Sequence, residues 1–382
     1  MKHQQVAVIG CGLGGATMTA LLQRAGYDAA AFEQAPAFGP VGAGIHLSPN
    51  LMHVMRFLEL DDVLVNCGFR PGAFTSRTFD TAEIRHELPL RESARERYGA
   101  DYLTIHRGDF HAALISRIAP DSIHYGKQLT DVKESGKKVA LAFSDGSRVT
   151  ADLVIAADGV SSRVRSALFD PTPPNFSGQV AYRSIVKASD LPSEPLDDLT
   201  KWWADDRFVI AYYLDSAKEK YYFVAGFPAD HWPVETSTLP GSREELRAAF
   251  ADFHPAVCEI LAGATDLRKW PLFERPPCEA WHQGRVVMLG DASHPMRPHM
   301  AQGAAMAIED AVTLARCLAQ HGLAHWEDAY QVYFETRIFR TATVQEISGQ
   351  NTWLRDPMDP DWLFSHNASV APLRASELEL AR

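Results

Sequence analysis

Val6-Ala7-Val8-Ile9-Gly10-Cys11-Gly12-Leu13-Gly14-Gly15 runs an apolar strand straight into a glycine-rich turn. Behind it, Met18, Leu21, Leu22 and Ala25 recur at helical spacing, and Ala29-Ala30-Ala31-Phe32 reads as a second buried strand. Strand, glycine turn, helix, strand is a βαβ unit, and the fold class it announces is α/β. Gly10, Gly12 and Gly15 occupy the fixed positions of G-x-G-x-x-G, with Leu13 and Gly14 between them. Glu33, followed by Gln34, ends the next strand 23 positions after Gly10. Glycines there let the backbone approach a pyrophosphate at a helix N-terminus, and the carboxylate can accept the hydrogens of a ribose diol. A tight turn with no ligand is the competing reading, and the βαβ context argues against it.

Two further buried strands end the same way. Leu153-Val154-Ile155-Ala156-Ala157 runs into Asp158-Gly159, and Val286-Val287-Met288-Leu289 runs into Gly290-Asp291. Each places an acid and a glycine at a strand end, suited to diphosphate or sugar contacts. Between them, residues 172–275 have a different texture, rich in Tyr, Trp and Phe, with alternation in Phe208–Tyr213 and Tyr221–Ala225 that predicts antiparallel sheet. The expected organisation is therefore a first nucleotide-binding segment over 1–171, an inserted sheet domain over 172–275, and a return over 276–382. That return carries a helix over Ala304–Leu318 and more helices through 324–350.

Composition narrows the function. A chain of 382 residues with 46% hydrophobic residues can bury a large core, and its net charge of -11 offers no field to attract nucleic acid. The five cysteines, Cys11, Cys67, Cys258, Cys278 and Cys317, are scattered without CxxC spacing, so no disulfide framework and no metal site is expected. No secretory signal or long apolar run is read, and no membrane association is expected; the compartment expected is the cytoplasm.

The three glycine motifs, in this order, resemble the class A flavoprotein monooxygenases of the para-hydroxybenzoate hydroxylase type, and the resemblance covers most of the chain. It implies a Rossmann-like FAD-binding domain of the GR2 type, an inserted antiparallel-sheet substrate domain and C-terminal helices. It also implies FAD as cofactor, NADH or NADPH as electron donor, and O2 as co-substrate. Carried over residue by residue, Gly10, Gly12, Gly15 and Glu33 would meet the ADP part of FAD. Asp158 and Gly159 would bridge FAD and the nicotinamide nucleotide, and Gly290 and Asp291 would hold the ribityl chain. Arg107, in His106-Arg107-Gly108-Asp109-Phe110, resembles the family arginine that reaches the flavin side; the alternative is an ion pair with Asp109.

Pro298-His299-Met300-Ala301-Gln302-Gly303-Ala304-Ala305-Met306 departs from the family's commoner Pro-x-x-Gly-Gln-Gly-x-Asn, with Ala301 for glycine and Ala305 for asparagine. That version resembles the branch holding 6-hydroxynicotinate 3-monooxygenase and salicylate-hydroxylase-like relatives. Gly42-Ala43-Gly44-Ile45-His46-Leu47-Ser48-Pro49-Asn50 and Lys201-Trp202-Trp203 agree with it. Pro298, Gln302, Gly303 and Gly44 are accordingly expected beside the cofactor, with the helix starting near Gln302 aimed at the flavin's N1/C2 edge.

The implied substrate is a small aromatic or pyridine carboxylate carrying a hydroxyl. Ionising that hydroxyl enriches the ring, so a base beside it should help. His46 and His299 fall in motifs expected near the flavin, each with the alternative of a histidine satisfied within its loop. Tyr212 is the third catalytic candidate, with core packing as its alternative; His294 and Arg297 are weaker ones. Trp202, Trp203, Tyr221 and Tyr222 suggest an apolar cavity or ordinary core. The branch implies polar side chains near the strand holding Thr200 and Phe208, and Phe208 is apolar. This leaves 6-hydroxynicotinate-type chemistry with possible decarboxylation, salicylate 1-hydroxylation and 3-hydroxybenzoate 6-hydroxylation open. A non-catalytic dinucleotide-binding protein is the competing class, and either a monomer or a homodimer is compatible with the sequence.

Overall fold

The computed structural model describes residues 2–39, 43–191, 196–233 and 238–374; Gly42 of the quoted glycine stretch and residues 375–382 lie outside them. Lys2–Ile9 is the central parallel strand of an eight-stranded sheet. It pairs with Ala29–Phe32 on one side and Arg148–Ala156 on the other, in the registers Val6↔Ala29 and Val6↔Leu153. Val286–Met288 extends the sheet in parallel beyond Arg148–Ala156. The three strands expected to end in glycine turns therefore stand side by side, and their turns open at one edge. The helix Leu13–Arg24 packs on the 19-residue helix Gly303–His321, which in turn packs on Trp326–Gln350. Leu21, Leu22, Val312 and Leu314 lie in the shared core.

The second eight-stranded sheet is antiparallel through Arg268–Glu274, Asn175–Lys187, Lys220–Pro228, Phe208–Tyr213 and Leu199–Trp203. The short Leu239–Pro240 pairs at the Arg268–Glu274 edge, and two strands from earlier in the chain, Ala73–Thr78 and Ile84–Pro89, complete the other edge. Ala73–Thr78 pairs in parallel with Leu199–Trp203, a long-range partnership that no local pattern announces.

Strand alternation sorts this sheet's residues between two cores. Phe208, Ile210 and Tyr212 face the cavity between the sheets. Val209, Ala211 and Tyr213 pack instead under the helices Arg243–Ala249 and Pro255–Ala262. The expected quartet Trp202, Trp203, Tyr221 and Tyr222 is split for the same reason. Tyr222 lines the cavity, while Trp202 and Tyr221 turn to the far core.

Candidate active site

The glycine turns, the helix start at Gly303 and the aromatic face of the second sheet enclose one cavity of about 440 Å3. That volume lies in the range of roughly 300–1,000 Å3 typical of small-molecule sites.

At the first turn the three fixed glycines do three different things. Gly10 has φ +93°, and a Cβ there would sit 2.4 Å from the Ala157 carbonyl oxygen. A Cβ on Gly15 would lie 2.0 Å from the Gly10 carbonyl oxygen, so helix and strand approach each other only because it is absent. Gly12 has open space where its Cβ would be and lines the cavity with Leu13 and Gly14. A turn glycine, an open glycine and a packing glycine are what a strand–helix cradle for a dinucleotide requires. Glu33 accepts the Cys11 N–H on one oxygen and the Ala35 N–H on the other, both at 2.8 Å. Each oxygen keeps a lone pair for a further donor. Gln34 is exposed beside it.

At the second turn Gly159 lines the cavity, but the Asp158 carboxylate is spent locally. It accepts the Ser162 hydroxyl at 2.6 Å and the backbone N–H groups of Arg163 and Val164, holding the start of Arg163–Leu168. At the third turn Gly290 and Asp291 both line the cavity. Asp291 is deep in the protein yet open to the cavity; desolvation pushes its carboxyl pKa upward, opposed by His294 and Arg107. Arg107 lines the same cavity, and burial and Arg183 push its pKa down. Asp109 instead stands 3.8 Å from the His106 ring.

The third turn is clamped from behind. Asp310, fully buried, accepts the Gly290 N–H at 3.0 Å, pairs with His294 at 2.5 Å and with Arg337 at 2.7 Å. His294 is therefore a fastening for the turn. Glu309 beside it binds Arg337 and Arg340 and accepts from Asn50. Gln302 belongs to this scaffold: it donates to the Ser48 hydroxyl and accepts from Asn50, and its side chain is buried away from the cavity. The cavity meets its neighbours Ala301, Gly303 and Ala304, the last two bringing the free N–H groups of the helix start. Ala301 has φ +55°, the left-handed conformation that the family's glycine would adopt without strain.

The other wall carries the ring-binding candidates. Gly44 lines the cavity so close to two tyrosines that a Cβ would lie 2.5 Å from the Tyr222 ring and 2.8 Å from the Tyr212 hydroxyl. His46 lines it too; its Nδ1 is 2.7 Å from the Tyr102 hydroxyl and its ring stands edge-on to Tyr212 at 4.4 Å. Burial, and secondarily Lys201, pushes His46 down to about 3, so it is a neutral imidazole. Tyr212 is buried on this floor, and desolvation raises its hydroxyl pKa, keeping it a phenol.

Pro298 lines the cavity, and His299 next to it packs edge-on against Phe208 at 5.2 Å. Its Nδ1 lies 2.8 Å from the Ser348 carbonyl oxygen, which can only accept, so Nδ1 carries the hydrogen. Burial, then Lys201, pushes His299 down to about 3. Its Nε2 is thus a lone-pair acceptor, buried and without a partner among the described residues.

Sequence reasoning assigned no role in the site to two cations, Arg183 and the Lys201 of the branch-like Lys201-Trp202-Trp203 stretch. Arg183 lines the cavity from Asn175–Lys187, with its guanidinium 5.2 Å from the Trp270 ring. Lys201 lies behind Phe208. Alternation along their strands was the available signal, but it gains meaning only once strand pairing is known.

A dinucleotide cradle joined to a ring-sized aromatic floor defines a flavin-dependent hydroxylase site. A family model described as "FAD binding domain" matches residues 3–329. The chain is 41% identical to a 6-hydroxynicotinate 3-monooxygenase of Pseudomonas fluorescens, over 100% of this chain and 99% of that one. It is 44% identical to the enzyme of that name from Bordetella bronchiseptica, over 97% of each. Among solved structures, HpxO of Klebsiella pneumoniae complexed with FAD and uric acid superposes with a TM-score of 0.81 at 26% identity, covering 91% of this chain and 87% of that one. The chain belongs to the class A flavoprotein hydroxylases, and it is an FAD-dependent monooxygenase that acts on an aromatic ring. NAD(P)H is the electron donor usual for this family. Among the described residues, no helix is long and apolar enough to cross a membrane.

Proposed function

We propose that the substrate is a hydroxylated pyridine carboxylate of the 6-hydroxynicotinate type, hydroxylated at its carboxylate-bearing carbon with loss of CO2. One ring acid, NAD(P)H, a proton and O2 give the dihydroxypyridine, CO2, NAD(P)+ and water. Bound FAD supplies hydride acceptance from NAD(P)H and the activation of O2. The chain's own residues bind, orient and move a proton.

The observation that carries this reading is the orphaned acceptor of His299, which packs behind Phe208 of the cavity wall, with the second neutral imidazole of His46 lining the cavity itself. A ring hydroxyl that donates to His299 Nε2 satisfies that atom and loses its proton there as the ring becomes nucleophilic. With Nδ1 of His46 engaged by Tyr102, its other nitrogen is left to orient a ring substituent, and the Tyr212 phenol stands beside it. Gly10, Gly12, Leu13, Gly14, Gly15, Glu33 and Gln34 would hold the adenosine diphosphate half of FAD. Gly44, Arg107, Gly159, Gly290, Asp291, Pro298 and Gly303 would hold the flavin half, with Asp158 and Gln302 shaping the loops behind them. Identity of 41–44% to two 6-hydroxynicotinate enzymes supports the choice of ring.

One observation favours a benzene acid as second reading. Phe208, Ile210 and Val224 offer a ring nitrogen no hydrogen-bond partner on that part of the floor. The test is NADH oxidation by FAD-loaded protein across 6-hydroxynicotinate, salicylate and 3-hydroxybenzoate, with product masses and CO2 release recorded. Fast turnover and CO2 release with 6-hydroxynicotinate are expected. Turnover only of the benzene acids would overturn the pyridine assignment and select the second reading.

A further inference from the structure

The cavity face of the antiparallel sheet carries an ionisable amine that neither the glycine turns nor the histidines explain. Lys201 lies in Leu199–Trp203 opposite Ile210, on the face shared with Phe208, Ile210 and Tyr212. It is 2% exposed. Its Nζ is 3.6 Å from the Trp203 ring centroid and 4.6 Å from that of Phe208, and it donates to Asn351 Oδ1 at 2.9 Å. The titratable and charged groups around it are His46 on Gly44–Leu47, His299 in the loop beyond Gly290, Tyr212 on the next strand and Arg355 after the C-terminal helix. Among the described residues no carboxylate pairs with it.

A buried ammonium with one amide oxygen and two ring faces for company lacks a counter-ion, and such a charge is costly. Burial, and then Arg355, pushes the Lys201 pKa well below the ordinary lysine value. Methionine would fill the same space more cheaply, so packing does not explain the lysine. An anion resting on the Phe208 floor would supply the missing charge, because a low-dielectric wall screens little. We propose that Lys201 is the specificity-determining charge of the ring site: it takes up a proton from solvent as an ionised ring acid enters, and its ammonium then holds the acid in preference to the neutral ring. Lys201 acts through the floor and is a positioning residue, and the inference rests on the ring-acid reading above.

The test titrates FAD-loaded wild type, Lys201→Met and Lys201→Arg with 6-hydroxynicotinate, salicylate and 3-hydroxybenzoate, and with the three carboxamides. Affinity is read from the flavin spectrum, and proton uptake from calorimetry in two buffers of different ionisation enthalpy at mildly alkaline pH. Wild type should take up protons with an acid and none with its amide. Lys201→Met should lose that uptake and bind the acid roughly tenfold more weakly with amide binding unchanged, the scale of one charge acting across several ångströms of protein. Lys201→Arg, charged throughout, should keep the acid preference without the uptake. If Lys201→Met retains both preference and uptake, or loses acid and amide alike, the inference is overturned and the ring-acid reading stands. If no ring acid binds wild type, both fall.

Discussion

The two halves of the site are built on opposite plans. The nucleotide half is made of backbone: glycines at strand ends, free N–H groups at a helix start, and almost no side chain committed to a ligand. The ring half is made of side chains projecting from an antiparallel floor, with two imidazoles held neutral by burial. The backbone site tolerates no added Cβ at Gly10 or Gly15. A side-chain site tolerates substitution structurally and answers to it in chemistry.

The largest effect should come from the backbone half. Gly15→Val places side-chain carbon where the Gly10 carbonyl already lies, so the variant should purify colourless, with flavin absorbance per chain near zero. A yellow, folded Gly15→Val protein would dissolve the contrast between the halves. Next is the clamp that joins them. Asp310→Ala takes from Arg337 one of its two carboxylates, leaves His294 without its partner in the interior and frees the Gly290 N–H, which should cost about 3 kcal/mol in urea unfolding.

In the ring half, His299→Gln should leave flavin content and thermal stability close to wild type. Turnover of a ring acid should drop by roughly 100-fold or more, as for loss of a general base. Equal loss of flavin would mean that His299 serves the backbone half instead.

Acid should sharpen the comparison through stability. His46 and His299 are depressed to about 3, so the unfolded chain binds protons at these positions that the fold does not. Their stabilisation is present above the ordinary histidine value of about 6.5 and is lost progressively below it. Glu309 and Asp310, held below the usual carboxylate range by their cations, add a second loss as pH falls through and below that range. Tm should therefore decline from neutral pH downward, and His46→Gln should flatten the first part of the decline. The smallest effect is Ala301→Gly, which relieves a left-handed alanine and should stabilise by about 1 kcal/mol.

The difference in plan also governs what the sequence reveals. Gly10, Gly12, Gly15, Glu33, Gly159, Gly290 and Asp291 sit in short stretches where strand, turn and helix signals are contiguous, and the structure places all but Glu33 at or directly behind the cavity wall. The helix expected over Ala304–Leu318 lies within Gly303–His321, because its periodicity is local too. The ring half is assembled from registers. Lys201 meets Ile210 through one strand pairing, and Arg183 meets Val224 through another. Thr75 joins the sheet from far upstream. Gln302 looked like a cofactor contact because its neighbours are; the structure turns it toward Ser48 and Asn50, partners more than 250 positions away in the chain. Asp158 likewise has cofactor-like surroundings and a local task.

The most direct test of the account is oxygen labelling. FAD-loaded protein, NADH and 6-hydroxynicotinate are incubated under 18O2, and the organic product and hydrogen peroxide are quantified together. One labelled oxygen atom in each dihydroxypyridine, with NADH consumed in equal amount, is the predicted result. NADH oxidation that no ring acid accelerates, with all of the oxygen recovered as peroxide, would contradict it.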